Sequence, residues 1–315
     1  EYGDVPLPSV PVAAVVEPGP GDDGLRIQTV IDSLAGRPVG ADGFRGAILL
    51  REGVYEIAGT IRVHTSGIVL RGEGQGDSLG QGGTLLVATG AGKRNLVELG
   101  GEELRLRDDG PRVEVAEAYV PVGRTHLVVE DGSLFRVGDL VVIHRPGTAQ
   151  WIRDIGMDRI PPRPEGDRPI TQWRPEVYSF DFERVLVKVS GDTLHFRNPI
   201  VMPLEARYGG GQVVKAADEG RIRHVGVENL HLRSEFSHEE DEDHAWNAIL
   251  ADHVEHGWVR DITARHFGYS AVNLENGSKH MTVFRSTSLD PVSIVTGSRR
   301  YSFNNDGQMN LVMEC

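Results

Sequence analysis

His224-Val-Gly-Val-Glu-Asn-Leu-His-Leu232, His256-Gly-Trp-Val-Arg-Asp-Ile-Thr-Ala264, His280-Met-Thr-Val-Phe-Arg-Ser-Thr-Ser288 and Gln308-Met-Asn-Leu-Val-Met-Glu-Cys315 can be laid over one another. Their matching apolar positions are Val227, Val259, Val283 and Leu311, which stand 32, 24 and 28 residues apart. A second set lies between them: Trp246-Asn-Ala-Ile-Leu-Ala-Asp252, Tyr269-Ser-Ala-Val-Asn-Leu-Glu275 and Arg300-Tyr-Ser-Phe-Asn-Asn-Asp306. Two or three short strands in each uneven repeat read as a coiled solenoid. One such coil cannot bury its apolar side alone, so it stacks on the next. A propeller blade would want four strands in about 40–45 residues, which fits worse.

Upstream, residues 44–70 continue the pattern with strands of three to five residues, rich in β-branched side chains and parted by glycines or polar turns. No run between them is long enough for a crossover helix, which disfavours a doubly wound sheet. Residues 1–43 form an N-terminal segment in which Leu25, Ile27, Val30, Ile31 and Leu34 have helical spacing, read as a capping helix. The coils then occupy 44–110 and 201–315. Residues 111–200 break the pattern: Pro121–Glu130, Val137–Ile143 and Val185–Leu194 alternate with Gly-Asp turns, as in a small antiparallel β insertion. Its irregular centre, 145–184, holds Trp151, Trp173, Tyr178 and seven arginines balanced by seven acids.

Composition narrows the classes. The chain has 315 residues, 39% hydrophobic and 25% charged, so it is not disordered over most of its length. Its 39 glycines have no collagen period and read as many tight turns. A net charge of −13 argues against a nucleic-acid binder. The single cysteine, Cys315, excludes a disulfide within the chain and a cysteine-based zinc site. No stretch approaches 18 consecutive apolar residues. The opening Glu1-Tyr2-Gly3 fits a removed signal peptide or a trimmed terminus.

Gly46-Ala-Ile-Leu-Leu-Arg-Glu-Gly-Val-Tyr55 and Ile68-Val-Leu-Arg-Gly-Glu-Gly74 resemble the opening coils of secreted pectin-lyase-fold proteins. The repeats from 221 onward resemble their later coils, and together these stretches cover about half of the chain. The resemblance implies an all-β chain: a right-handed parallel β-helix, secreted or exposed in the periplasm or on a cell surface, acting on carbohydrate. It implies no single reaction, because that fold hosts lyases, hydrolases, epimerases, transferases and phage tailspikes. Leu311–Cys315 begins a coil that nothing afterwards covers. The expectation is that the solenoid continues beyond Cys315 or that another chain completes its open end.

No short motif fixes the chemistry, so candidate residues come from stacking, which places equivalent positions of successive coils about 4.8 Å apart. Asp252, Glu275 and Asp306 form a ladder of acids, suited to calcium, to an acid/base pair or to capping turns. Leu250, Asn273 and Asn304 stack beside them, with amides able to bond along the coil axis. Arg233 stacks with Arg265, and Ser234 with His266 and Asp290; Tyr269 follows within a turn. Arg299, Arg300 and Tyr301 fall beside Tyr269 in the next coil. Glu235–His244 packs six acids into a loop that would bring Asp243 and His244 to this group. Lys279-His280 reads as a turn.

The leading expectation is a β-elimination on a uronate-containing polysaccharide. His266 or Tyr269 would serve as base and acid, with His244 and Asp243 at the rim. Arg265 and Arg300 would neutralise the uronate carboxylate, and Asp290 would orient His266. Trp151, Trp173, Arg299, Tyr301 and Asn304 would bind substrate, and Asp252, Glu275 and Asp306 would hold calcium. The alternatives are a glycoside hydrolase or glycan transferase using two carboxylates from Asp243, Asp252, Glu275 and Asp290, and a non-catalytic glycan-binding β-helix of tailspike or adhesin type.

Overall fold

The computed structural model describes residues 7–77, 81–101, 105–106, 112–162, 170–175 and 177–315. The chain divides into two compact units, Glu1–Glu103 with Gly220–Cys315, and Leu104–Glu219. In the first, short apolar strands pair only with their equivalents in neighbouring coils, and every such pairing is parallel. A ten-stranded sheet runs through Val12–Val16, Gly46–Leu50, Ile68–Gly72, Gly226–Ser234, Trp258–Arg265, Thr282–Phe284 and Leu311–Met313, with Gly53–Ile57, Thr84–Ala88 and Thr287–Leu289 continuing the same face. A five-stranded sheet stacks Ile61–Val63, Asn95–Gly100, Asn247–Asp252, Ser270–Leu274 and Tyr301–Asn305. Ile222–Arg223 and Val254–Glu255 make a third short face, extended by bridges to Lys279 and Gln308. The result is a right-handed parallel β-helix, the hand that parallel crossovers take. Gly226–Ser234 pairs directly with Ile68–Gly72 and Thr84–Ala88, although the whole second unit intervenes in sequence.

One core column explains the repeat. Ile48, Leu70, Val227, Val259, Val283 and Val312 are in register, and all but the last are buried. Sequence alignment puts Leu311 in this column, but Leu311 pairs with Thr282 and Val312 with Val283. The slip is one residue, set by the bridge from Lys279 to Gln308 and by Leu311 N donating to Met281 O at 2.9 Å. Such a slip turns every following side chain to the opposite face.

Glycines at positive φ, Gly43, Gly46, Gly53 and Gly67 among them, turn the earlier coils as composition suggests, whereas the later coils bend on other residues. Three stacks of L-residues in the left-handed region turn the coil: His224, His256 and His280 (φ 57, 56 and 54°), Asn229, Asp261 and Arg285 (55, 52 and 44°), and His266 with Asp290 (71 and 47°). Asn, Asp and His tolerate that region best among residues with a Cβ. Arg285 is fastened by two hydrogen bonds to the Asp261 carboxylate, at 2.8 and 2.9 Å.

The helix Asp23–Ala35 starts at Asp22, whose side chain accepts from Gly24 N, and its buried Ile27, Ile31 and Leu34 join the coil core. One fully buried carboxylate interrupts that apolar rule. Glu228 is held by Arg71, by Arg260 Nε at 2.7 Å and by Trp258 Nε1 at 2.7 Å. No helix among the described residues is long and apolar enough to cross a membrane.

The second unit is antiparallel. His126–Val128, Thr193–Phe196, Phe180–Ser190, Leu140–Arg145 and Gln212–Ala217 lie side by side over a core that includes Leu127, Ile143, Leu186 and Phe196. It spans 104–219, against the 111–200 read from sequence, and Gln212–Ala217 lies beyond that range yet pairs with Leu140–Arg145. Thr148 caps the short helix Ala149–Asp154, which turns Trp151 inward against Arg145, Phe180 and Tyr208. Trp151 is 8% exposed. The expectation that its ring stacks on sugar is therefore corrected: the ring face is already covered by protein. Trp173 is half-buried and stacks on Tyr178, with centroids 4.0 Å apart and planes 6° from parallel. Arg163 and Arg168 of the same loop lie outside the described residues.

Candidate functional site

The turns that carry the chain from the ten-stranded to the five-stranded sheet stack on one edge of the first unit. Most residues singled out from sequence meet there, because the coils bring Trp246, Tyr269 and Tyr301 to neighbouring positions. Tyr269 N donates to Trp246 O, and Tyr301 N to Tyr269 O, each at 2.8 Å. Their ring centroids follow at 6.3 and 5.4 Å. Tyr301 is 42% exposed. Along the adjoining strands, Asn304 Nδ2 donates to Asn273 Oδ1 at 2.9 Å, which completes the expected amide stack.

The acid row continues from those amides. Glu275 Oε1 accepts from Asn273 Nδ2 at 2.7 Å, and Asp306 Oδ2 from Asn304 Nδ2 at 2.8 Å. Asp252 accepts from Gly277 N at 3.2 Å and lies 3.0 Å from His253 Nδ1. Burial raises the Tyr269 phenol above its ordinary pKa, and the charges of Asp306 and Glu275 add to the rise. Tyr269 therefore stays protonated well past neutrality and is a proton donor by default.

At the turn itself, His266 donates its backbone N–H to Leu289 O at 3.1 Å, and its ring meets Phe236 edge-on with centroids 4.9 Å apart. Burial lowers the His266 pKa, and the neighbouring Arg265 charge lowers it further, so the imidazole is neutral at pH 7. Arg265 stands in register with Arg233, and its Nη1 lies 3.5 Å from Asp290 Oδ2. Asp290 thus has Arg265 as an ion-pair partner, and its charge also acts on His266, where it opposes the lowering by burial. Arg300 donates its Nη1 to Ser293 O at 2.7 Å and its backbone N to Gly268 O at 3.1 Å, which ties the turn together.

The acidic loop reaches the same edge. His244 is buried, with Nε2 2.9 Å from Val292 O and Nδ1 2.9 Å from Ser234 Oγ. A carbonyl only accepts, so Nε2 donates to Val292 O, while the Ser234 hydroxyl lies between Nδ1 and Glu235 O, 2.9 Å from each. Both nitrogens are engaged within the protein. Asp243 is exposed, its N–H donates to Asp241 Oδ1, and its carbonyl accepts from Gly92 N. Three donations from Ser237 and Asp243 hold Asp241 far below the usual carboxylate range. Gly90, Ala91, Glu235, Phe236, Asp241 and His244 line a cavity of about 250 Å³ here.

Two residues outside the expected set, Lys93 and Glu242, join this edge. Lys93 Nζ lies 4.0 Å above the Trp246 ring and 3.4 Å from Glu242 Oε2. Arg299 Nε stands 2.6 Å from Glu242 Oε1, and its guanidinium is 5.8 Å from the same ring. Burial pushes the Glu242 carboxyl up, but Arg299 and Lys93 outweigh it and the pKa is lowered. Part of the signal is in the sequence, since Glu242 belongs to the acid run. Lys93 comes beside Trp246 only because the following strand sets Asn95 in register with Asn247, across the whole second unit.

One further group has metal-binding donor types. Glu255, His256 and His280 bring ligand atoms within 4.8 Å of one another, and the stacked rings of His224, His256 and His280 follow at 6.2 and 4.9 Å. Arg223 Nε is 2.9 Å from one Glu255 oxygen and Lys279 Nζ is 3.4 Å from the other. Burial raises the Glu255 pKa, but His280, Lys279 and Arg223 pull it well below the ordinary range. The carboxylate is already neutralised by protein cations, which leaves the cluster without the net negative charge that attracts a divalent ion.

No family model and no curated protein matches the chain. Solved structures similar to it include three phage tailspikes. The tailspike protein gp49 from Pseudomonas phage LKA1 is 13% identical with a TM-score of 0.46, over 84% of this chain and 39% of that one. The Pseudomonas phage phi297 tailspike gp61 is 13% identical with a TM-score of 0.40, over 92% and 44%. The gp54 tailspike of Acinetobacter baumannii bacteriophage AP22, in complex with A. baumannii capsular saccharide, is 10% identical with a TM-score of 0.39, over 93% and 43%. The chain spans about two fifths of the length of these proteins.

Proposed function

We propose that the first unit binds an acidic polysaccharide along this edge and cleaves it by β-elimination. The observation that carries the reading is the row Trp246, Tyr269 and Tyr301, which ends in the exposed Tyr301 ring. Aromatic rings one coil apart suit the apolar faces of successive sugar rings. His266 and Tyr269, three residues apart across one turn, have pKa shifts in the directions the reaction needs. A neutral imidazole takes the proton α to the uronate carboxylate, and a protonated phenol gives one to the leaving oxygen. Arg265 and Arg300 are the cations that would stabilise the carboxylate as negative charge builds on it.

Hydrolysis is the second reading, favoured by the amide-held carboxylates of Glu275 and Asp306 close to Tyr269. Calcium on Asp252, Glu275 and Asp306 belongs to either reading. An absorbance screen against uronate polysaccharides, with calcium and with chelator, separates them; a bacterial capsular saccharide, the ligand of the AP22 tailspike complex, belongs in the panel. Elimination yields an unsaturated uronate that absorbs in the near-ultraviolet and is lost in His266→Ala. New reducing ends without that absorbance would favour hydrolysis, and binding without either product would leave a glycan-binding coil.

A further inference from the structure

The carboxylate of Glu242 occupies a place built for an anion. Arg299 places Nε at 2.6 Å and Nη2 at 3.3 Å from it, and Lys93 places Nζ at 3.4 Å. These donors come from two turns of the coil, residues 90–94 and 290–300, while Glu242 comes from the acidic loop between Ser234 and Asn247. Both cations also lie against the Trp246 ring, at 4.0 and 5.8 Å. A guanidinium, an ammonium and an indole together recognise a carboxylate attached to a sugar ring. Lys93 keeps about half of its side chain in solvent while Arg299 is 15% exposed, so solvent reaches the carboxylate from the Lys93 side.

We infer that Lys93 and Arg299 form a subsite for the carboxylate of a uronate sugar, and that Glu242 is its internal occupant, exchanged for the substrate carboxylate on binding. The inference names the substrate class of the proposed glycan edge and rests on that reading. Exchange keeps every charge paired, since one carboxylate leaves as another enters. The cost is the release of a tethered competitor, whose effective concentration is of millimolar order for a short connection. Removing the tethered charge should therefore tighten binding of a free carboxylate, the opposite of what loss of a binding residue does.

The test is a calorimetric or NMR titration of the full chain with D-glucuronate, its methyl ester and D-glucose. Glu242→Gln should bind glucuronate about tenfold more tightly than the unaltered chain, with the methyl ester and glucose unchanged. Arg299→Ala in the unaltered chain should weaken glucuronate, and in Glu242→Gln should abolish the gain. No gain in Glu242→Gln, or an equal gain for the methyl ester, overturns the subsite. Arg299→Ala is an independent check should Glu242→Gln fail to fold, because unchanged glucuronate affinity in it overturns the subsite as well. Failure of the elimination reading looks different: no unsaturated product forms while glucuronate still binds.

Discussion

Gly268 lies so close to Trp246 that a Cβ built on it would stand 2.4 Å from the indole Cε3 and Cζ3. The indole packs against bare backbone, with Lys93 on the ring as well. Gly268→Ala should displace Trp246 and cost about 1–3 kcal/mol of stability. Glycan affinity should fall in parallel. Intrinsic tryptophan fluorescence and a urea titration check this, and an unshifted spectrum with unchanged binding would remove Trp246 from the site.

Tyr301 is exposed at the end of the aromatic row, so its loss tests binding without testing the fold. Tyr301→Ala should weaken polysaccharide binding by about 1 kcal/mol, roughly fivefold, with the melting temperature unchanged. Tyr301→Phe, which keeps the ring, should bind like the unaltered chain. Equal losses in both variants would mean that the hydroxyl, and not ring stacking, is what the glycan meets.

Acid should act in two separable ways. His231, His256 and His266 all have pKa values lowered from 6.5 by burial. The unfolded chain then binds more protons as pH falls through 6.5, so stability is full above that value and declines below it. Urea midpoints at pH 7.5 and 5.5 should show the lower value at pH 5.5. If His266 is the base, turnover should persist below pH 6.5 and fall only through its lowered pKa; an acidic limb centred above 6.5 would exclude it.

Glu228→Ala should be among the most damaging changes in the coil. It leaves Arg71 and Arg260 without their shared anion and strands the Trp258 indole N–H inside the protein. A loss of about 3–5 kcal/mol is expected from a broken buried pair. Glu228→Gln keeps the shape and one acceptor, and should lose less. Denaturant midpoints of the two variants decide the ranking.

The coil is legible because its period is written in apolar residues. Val227, Val259 and Val283 must all face the same core, and their spacing marks the coils. The stacks of Trp246 on Tyr269 and of Asn273 on Asn304 follow from the same counting. The final register escapes it because Leu311 and Val312 are both apolar, and only the bridge at Gln308 chooses between them. Trp151 misleads for a related reason. Its loop composition suits exposure, whereas the Thr148 cap and the Arg145 guanidinium draw the ring inward.

The order of residues along the chain is enough to specify the repeating backbone: which side chains turn inward, which coils stack, and which polar groups therefore share a row. Those properties are periodic, and period survives in one dimension. The pairing of individual groups exists only in three: Asp290 with Arg265, His244 with Ser234 and Val292, and Glu242 with Lys93 and Arg299. These contacts join turns of different length from different coils, where no period applies. Their geometry depends on where each loop returns to the coil, and spacing in the chain carries no record of that.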